Sequence, residues 1–307
     1  MKLSRTVIVS GLLGTSVLGL AGPAAQASEA APASHEISPY LNVSQSNVHT
    51  LQENQAATGV SAATLAFLNA RPGSCELQWD AAAGQGPGYL QEQIAQYQQA
   101  GGAATISFGG AGNRDNLLAH TCDDVGRITD AYRQVVDTYG VTHLDFDLEQ
   151  GAQKDDAANQ RRNQALAQLQ QERPGVTVDY TFPVEPRGLG PDAQGVLSDA
   201  ATKGVSVNTV NIMTMDFGKE QDTVRSGKYA IDGTNAQLSE LYGEQRPGLG
   251  VTFSMGESAN QQDFTQEDAR ELQSYAVEQG ASKLSYWQLA KDAETDYGYS
   301  RTLADLG

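Results

Sequence analysis

The sequence predicts an α/β protein built as a single (β/α)8 TIM barrel. Three observations carry that prediction. Eight short β-branched or aromatic runs alternate with helical segments across residues 35–307, the pattern of parallel strands joined by crossover helices. A chain of 307 residues suits one large barrel. No Gly-rich phosphate loop follows the first run, as an open doubly wound sheet would normally carry.

The elements follow in order. Lys2 and Arg5, the apolar run Val7 to Leu20 and the sequence Ala25-Gln26-Ala27 read as a secretory signal peptide over residues 1–27. Its apolar run is too short to span a bilayer comfortably. Residues 28–34 form a disordered lead-in, and the barrel occupies 35–307. Its expected strands are Ile37–Val43, Ala62–Leu68, Ala103–Phe108, Thr142–Glu149, Val176–Phe182, Val207–Met215, Leu249–Phe253 and Lys283–Gln288. A helix over 123–139 is predicted by Val125, Ile128, Tyr132, Val135 and Tyr139, which make one apolar stripe. Thr121 and Asp124 resemble its capping box. A second clear helix spans 266–279, with Thr265 to Asp268 as the capping box, Phe264 as staple and Gly280 as the stop. Only Ser254 to Phe264 separate the seventh strand from this helix, too little for an inserted α+β domain.

Composition narrows the partners. The formal net charge is −17, which repels nucleic acid and anionic lipid but tolerates a neutral polymer such as a polysaccharide. In an exported chain the two cysteines, Cys75 and Cys122, are expected to form a disulfide. The four histidines are scattered with no zinc-ligand spacing, so no metal and no cofactor is expected. The expected molecule is a secreted, extracellular monomer with no membrane partner.

The chemistry concentrates in the fourth run. Alternation along a strand puts Leu144, Phe146 and Leu148 on one face and Asp145, Asp147 and Glu149 on the other. In a barrel the apolar set faces the helices and the acids face inward, near the C-terminal mouth where barrel sites lie. Carboxylates about 7 Å apart along a strand cannot all ionise cheaply when buried. The group therefore shares at least one proton. A carboxyl that stays protonated near neutrality is what glycosidic cleavage requires. Glu149, longest and nearest the mouth, is the expected general acid.

Four motifs in strand order then resemble glycoside hydrolase family 18, in its bacterial, actinobacterial-type, single-domain chitinase branch. Asp145-x-Asp147-x-Glu149 matches the last three acids of the family's D-G-x-D-x-D-x-E. Ser107-Phe108-Gly109-Gly110 matches S-x-G-G, Met213-Thr214-Met215-Asp216 matches M-x-Y-D, and Trp287 matches the Trp of the eighth strand. The resemblance implies an endo-acting chitinase that cleaves β-1,4 bonds between N-acetylglucosamine units with retention. In that scheme the substrate's own acetamido oxygen is the nucleophile. It also implies roles: Glu149 as acid and then base, Asp147 orienting the acetamido group, Asp145 and Ser107 holding Asp147, and Trp287 as the sugar's floor. Asp216, Met213, Met215 and Tyr180 are expected to contact substrate.

Two departures stand out. Thr142-His143 replaces the family's Asp-Gly, and Met215 replaces a Tyr that donates to the acetamido oxygen, which methionine cannot do. Tyr180 or Asn211 is the expected substitute donor. Trp79, in the loop after the second strand, is expected either to line a distal sugar subsite or to anchor its loop. The alternatives are a non-hydrolytic chitin- or glycan-binding barrel, an endo-β-N-acetylglucosaminidase and, with less support, a metal-dependent hydrolase built on the three acids.

Overall fold

The first strand of the barrel (β1) is in two pieces, Glu36–Ile37 and Tyr40–Asn42. Pro39 has no N–H to give to a ladder, so pairing lapses around it, although its carbonyl still accepts from the Thr64 N–H at 2.9 Å. In this computed structural model the described residues are 35–44, 48–80, 85–112, 114–218, 221–257 and 263–306. The expected signal peptide and lead-in lie outside them.

The two pieces of β1 close the sheet. Glu36–Ile37 pairs in parallel with the last strand, and Tyr40–Asn42 pairs in parallel with the second. Between them run β2 (Ala62–Ala66), β3 (Ala103–Gly109), β4 (His143–Asp147), β5 (Thr177–Glu185), β6 (Val207–Met213), β7 (Gly248–Ser254) and β8 (Lys283–Trp287). Each pairs in parallel with its neighbour in chain order, giving the (β/α)8 barrel. The helices that follow are α1 (His49–Thr58), α2 (Gln91–Gln99), α3 (Val125–Tyr139), α4 (Asp156–Glu172), α5 (Pro191–Lys203), α6 (Thr223–Tyr242), α7 (Gln266–Glu278) and α8 (Gly298–Ala304). Strand ends differ from expectation by a few residues, as terminal pairs fray.

One expected cap is corrected. Asp124, not Thr121, caps α3: its carboxylate accepts the Arg127 N–H at 3.0 Å. A cap needs extended backbone, which Asp124 has, whereas Thr121 ends a short helix, Leu118–Thr121. At α7 the expected box is present, with Thr265 and Asp268 bonded reciprocally and Gly280 in the left-handed conformation after the helix. Between β7 and α7, Gly256–Glu257 and Asp263–Phe264 pair antiparallel.

The outer layer is aromatic. Phe108 and Phe146, neighbours on β3 and β4, stack at 5.0 Å, and Tyr132 of α3 meets Phe146 edge-on at 5.2 Å. Such pairs add about 0.5–1.5 kcal/mol each beyond the area they bury. Inside, the barrel departs from the usual filling of branched apolar side chains. Buried Ser107, Asp145, Thr181, Asn211, Thr252 and Ser285 occupy it, each hydrogen-bonded. A polar interior costs stability unless every group is satisfied.

Trp79 is one of the anchors, which settles its reading. It is fully buried, and its indole N–H donates to the Tyr139 hydroxyl at 2.8 Å. It therefore lines no sugar subsite. Nearby, a disulfide joins Cys75 to Cys122 across 47 residues of chain. Replacing both cysteines by serine is expected to lower unfolding stability by about 2–4 kcal/mol. A denaturant midpoint equal to that of the parent would remove the bridge from the account of stability.

Candidate active site

β4 builds the centre of the site by simple alternation. Leu144, Phe146 and Leu148 are fully buried toward the helices, while Asp145 (0% exposed) and Asp147 (5%) point into the barrel. Glu149, two residues past the strand's end, sits half-buried at the mouth.

The two inner aspartates differ sharply in their surroundings. Asp145 accepts hydrogen bonds from Ser107 Oγ at 2.6 Å, Thr181 Oγ1 at 2.7 Å and Tyr40 OH at 3.0 Å. Asp147 Oδ1 is buried with no hydrogen-bond partner. Register explains the contrast. Asp145 lies opposite Ser107 on β3, whereas Asp147 lies opposite Gly109, which has no side chain. The expectation that Asp145 and Ser107 hold Asp147 is thereby corrected: they hold each other.

The glycines after β3 shape the wall. Gly109 and Gly110 both have positive φ. A Cβ on Gly109 would lie 2.0 Å from the Asp147 carbonyl oxygen, and one on Gly110 would lie 2.3 Å from the Phe67 ring. No other residue fits this turn. It delivers the Ala111 N–H as a hydrogen-bond donor to the Glu149 carboxylate.

Electrostatics follow from burial and like charge. Burial, then Glu149, then Asp145 hold the Asp147 carboxyl well above its ordinary range. Burial and the Asp216 carboxylate raise Glu149, and the Ala111 N–H pulls it part of the way back. Burial raises Asp145 as well, opposed chiefly by Lys283 and by the Ser107 hydroxyl. Asp147 and Glu149 therefore titrate as a pair that retains a proton at higher pH than an isolated carboxylate would.

Above these acids opens a cleft of about 440 Å³. Asp147, Glu149, Met213, Met215, Asp216 and Trp287 all line it, so the structure brings most of the expected residues together. Trp287 stacks on Phe67 with centroids 5.8 Å apart and lies 6.0 Å from the Tyr40 ring. Asp216 is exposed at the rim in the left-handed region (φ 55°), a conformation Asp adopts more readily than most residues. Ser107 and Asp145 lie one layer beneath the cleft and support it.

Tyr180 is the expected site residue that the structure removes. It is fully buried on the outer face of β5, its ring 5.7 Å from Phe182, its hydroxyl bonded to Asn163 of α4. Side chains alternate along β5, so the inward neighbour is Thr181, which does line the cleft. Asn211 points inward but lies below the cleft floor. Its amide is taken by Thr181 at 3.0 Å and Thr252 at 2.9 Å. Neither replaces the donor lost at Met215.

Sequence reasoning missed Tyr40, Phe67 and Ala111. Tyr40 had a usable signal: it shares a strand face with Ser38, which packs inside the barrel. Phe67 and Ala111 lie just beyond strand ends, where alternation no longer dictates direction.

No family model matches the chain. It is 30% identical over 279 residues to a probable bifunctional chitinase/lysozyme of Escherichia coli K12, covering 84% of this chain and 31% of that protein. It is 30% identical over 284 residues to Endochitinase 11 of Metarhizium anisopliae, covering 84% of this chain and 52% of that protein. The chain thus spans 31% of the length of the first of these curated relatives and 52% of the second. Among solved structures, the catalytic domain of a hyperthermophilic chitinase from Pyrococcus furiosus matches with a TM-score of 0.77 at 27% identity, over 89% of this chain and 94% of that one. A family GH18 chitinase from Chromobacterium violaceum shares the fold, with a TM-score of 0.60 at 16% identity, over 89% of this chain and 83% of that one. Three inward acids on β4, the Gly-Gly turn that ends β3 and the tryptophan ending β8 thus stand in a chain that is similar to chitinases over most of its length.

Proposed function

We propose that this protein is a secreted, endo-acting chitinase that hydrolyses β-1,4 bonds between N-acetylglucosamine units with retention of configuration. One observation carries the reading. A carboxyl whose acid form is favoured by burial and by Asp216 lines the cleft, with a second raised carboxyl beneath it and an aromatic floor alongside.

The chemistry divides among the residues. The Trp287 indole, backed by Phe67, supports the apolar face of a sugar ring. Glu149 protonates the leaving glycosidic oxygen, then takes a proton from water. Asp147, free of side-chain partners on Oδ1, turns to the acetamido N–H and steadies the positive charge as the acetamido oxygen attacks the anomeric carbon. Asp145, fixed by three hydroxyls, stays in place as Asp147 moves. The lack of an inserted domain leaves the groove open, which favours internal cuts. The polar partner is chitin or its oligosaccharides, and the chain works as a monomer without cofactor.

Product analysis tests this. Incubation with N-acetylchitohexaose should give shorter oligomers from internal cuts, with the fresh reducing ends initially β by NMR. Binding without shortening would mean a glycan-binding barrel. Release of N-glycans from a glycoprotein in preference to chitin oligomers would mean an endo-β-N-acetylglucosaminidase.

A further inference from the structure

Beside the lowest of the three acids lies a charge pair that the motifs do not contain. Lys283 of β8 and Asp179 of β5 meet inside the barrel, Nζ to Oδ2 at 3.0 Å, each side chain 2% exposed. Their strands are not neighbours, since β6 and β7 lie between them. The lysine therefore crosses the interior to reach its partner. Asp179 is the register partner of Asp145 on β4, so the pair sits directly beside the lowest acid of the column.

A buried pair of this kind contributes little net stability and is costly to assemble. Its electrostatic reach is considerable, because little water screens it. The charges around Lys283 are Asp179 on β5, Asp145 on β4 and Glu36 on β1. His35 and His143 line the cavity at the lower barrel end with it, and Asn208 of β6 donates to Asp179 at 3.0 Å. Around Asp145 stand Lys283, Asp179 and Asp147, with Ser107, Thr181 and Tyr40 as donors.

We propose that Lys283, oriented by Asp179, is a positioning residue for the reaction: its ammonium keeps Asp145 anionic, so the column's mobile proton resides on Asp147 and Glu149, where the substrate can use it. The inference rests on the proposed hydrolysis at the same site. The hydrogen bonding agrees, since Asp145 has three donors and Asp147 Oδ1 has none. Burial works against the lysine's charge, but Asp179, Asp145 and Glu36 outweigh it and hold the ammonium above its usual range. Lys283 is therefore charged throughout the pH range of the assay. Among influences on Asp145, it is the largest one favouring the anion, and Asp179 acts the other way.

The two charges must therefore act with opposite signs, and a merely structural role predicts no such pattern. The pH profile of kcat/KM on a chromogenic chitobioside is measured for the parent, Lys283→Met, Asp179→Asn and the double variant, each checked for native circular dichroism. Lys283→Met should move both limbs to higher pH by roughly one unit. Asp179→Asn should move them to lower pH, and the double variant should shift upward by less than Lys283→Met. KM should change less than about twofold, since Lys283 does not line the cleft. If Lys283→Met alone fails to fold, the sign for Asp179→Asn and the small upward shift of the double variant, which leaves neither member of the ion pair without the other, decide the matter. Limbs unmoved in folded variants, or moved the same way by both single changes, overturn the inference while leaving the proposed function intact. A parent enzyme that cleaves no chitobioside or chitin oligomer removes the proposed function, and this inference with it.

Discussion

Glu149→Gln should lose about 10²–10⁴-fold in kcat on chitin oligomers while still binding them. The change is nearly isosteric. A glutamine oxygen can still accept the Ala111 N–H, so the wall formed by the Gly109–Gly110 turn has no reason to move. What disappears is the proton. The amide can neither protonate the leaving oxygen nor take a proton from water, so both halves of the reaction suffer. The pH dependence adds a second readout. Burial and Asp216 raise the Glu149 carboxyl, so its acid form persists to higher pH than an ordinary glutamate's. Parent activity should fall as pH rises through that elevated value, and the residual rate of Glu149→Gln should lack this limb. Steady-state kinetics with isothermal titration of an oligosaccharide checks both statements. Ordinary turnover in the variant would dismiss Glu149 as the acid.

Asp147→Asn should move activity and stability in opposite directions. Activity should fall about 10²–10³-fold, because an amide offers no negative charge to the cation that develops at the anomeric carbon. Stability near neutral pH should rise by on the order of 1 kcal/mol, as is common where a strained functional group is removed. The sign follows from linkage. Asp147 holds its proton more tightly when folded than when unfolded. Over the window between the ordinary aspartate value and the raised one, the folded state binds more protons, so parent stability declines as pH rises. Asparagine has no such dependence. The variant's advantage should grow with pH across that window and vanish below it. Urea unfolding of both proteins at several pH values measures it. A variant less stable than the parent at neutral pH would mean that Asp147 is a structural carboxylate.

Much of this molecule is local. Strand alternation in Leu144 to Glu149 determined which side chains face the helices and which face the barrel interior, because period-two geometry needs no knowledge of neighbours. The Thr265 capping box, the Gly280 stop and the order of the eight strands were legible for the same reason. Tyr180 failed where that logic was not applied: it shares a strand with Thr181, and only one of the two can face the cleft.

Other features belong to no single segment. That Ser107 grips Asp145 and leaves Asp147 Oδ1 without a partner depends on register between β3 and β4, which puts a glycine opposite Asp147. That Lys283 meets Asp179 depends on barrel closure, which brings together side chains 104 residues apart in sequence. The sequence by itself determined the barrel, its acid column and the tryptophan at its rim. Only the tertiary structure decided which acid is gripped by three hydroxyls and which keeps a buried oxygen without a partner, because hydrogen bonds and charges act through space.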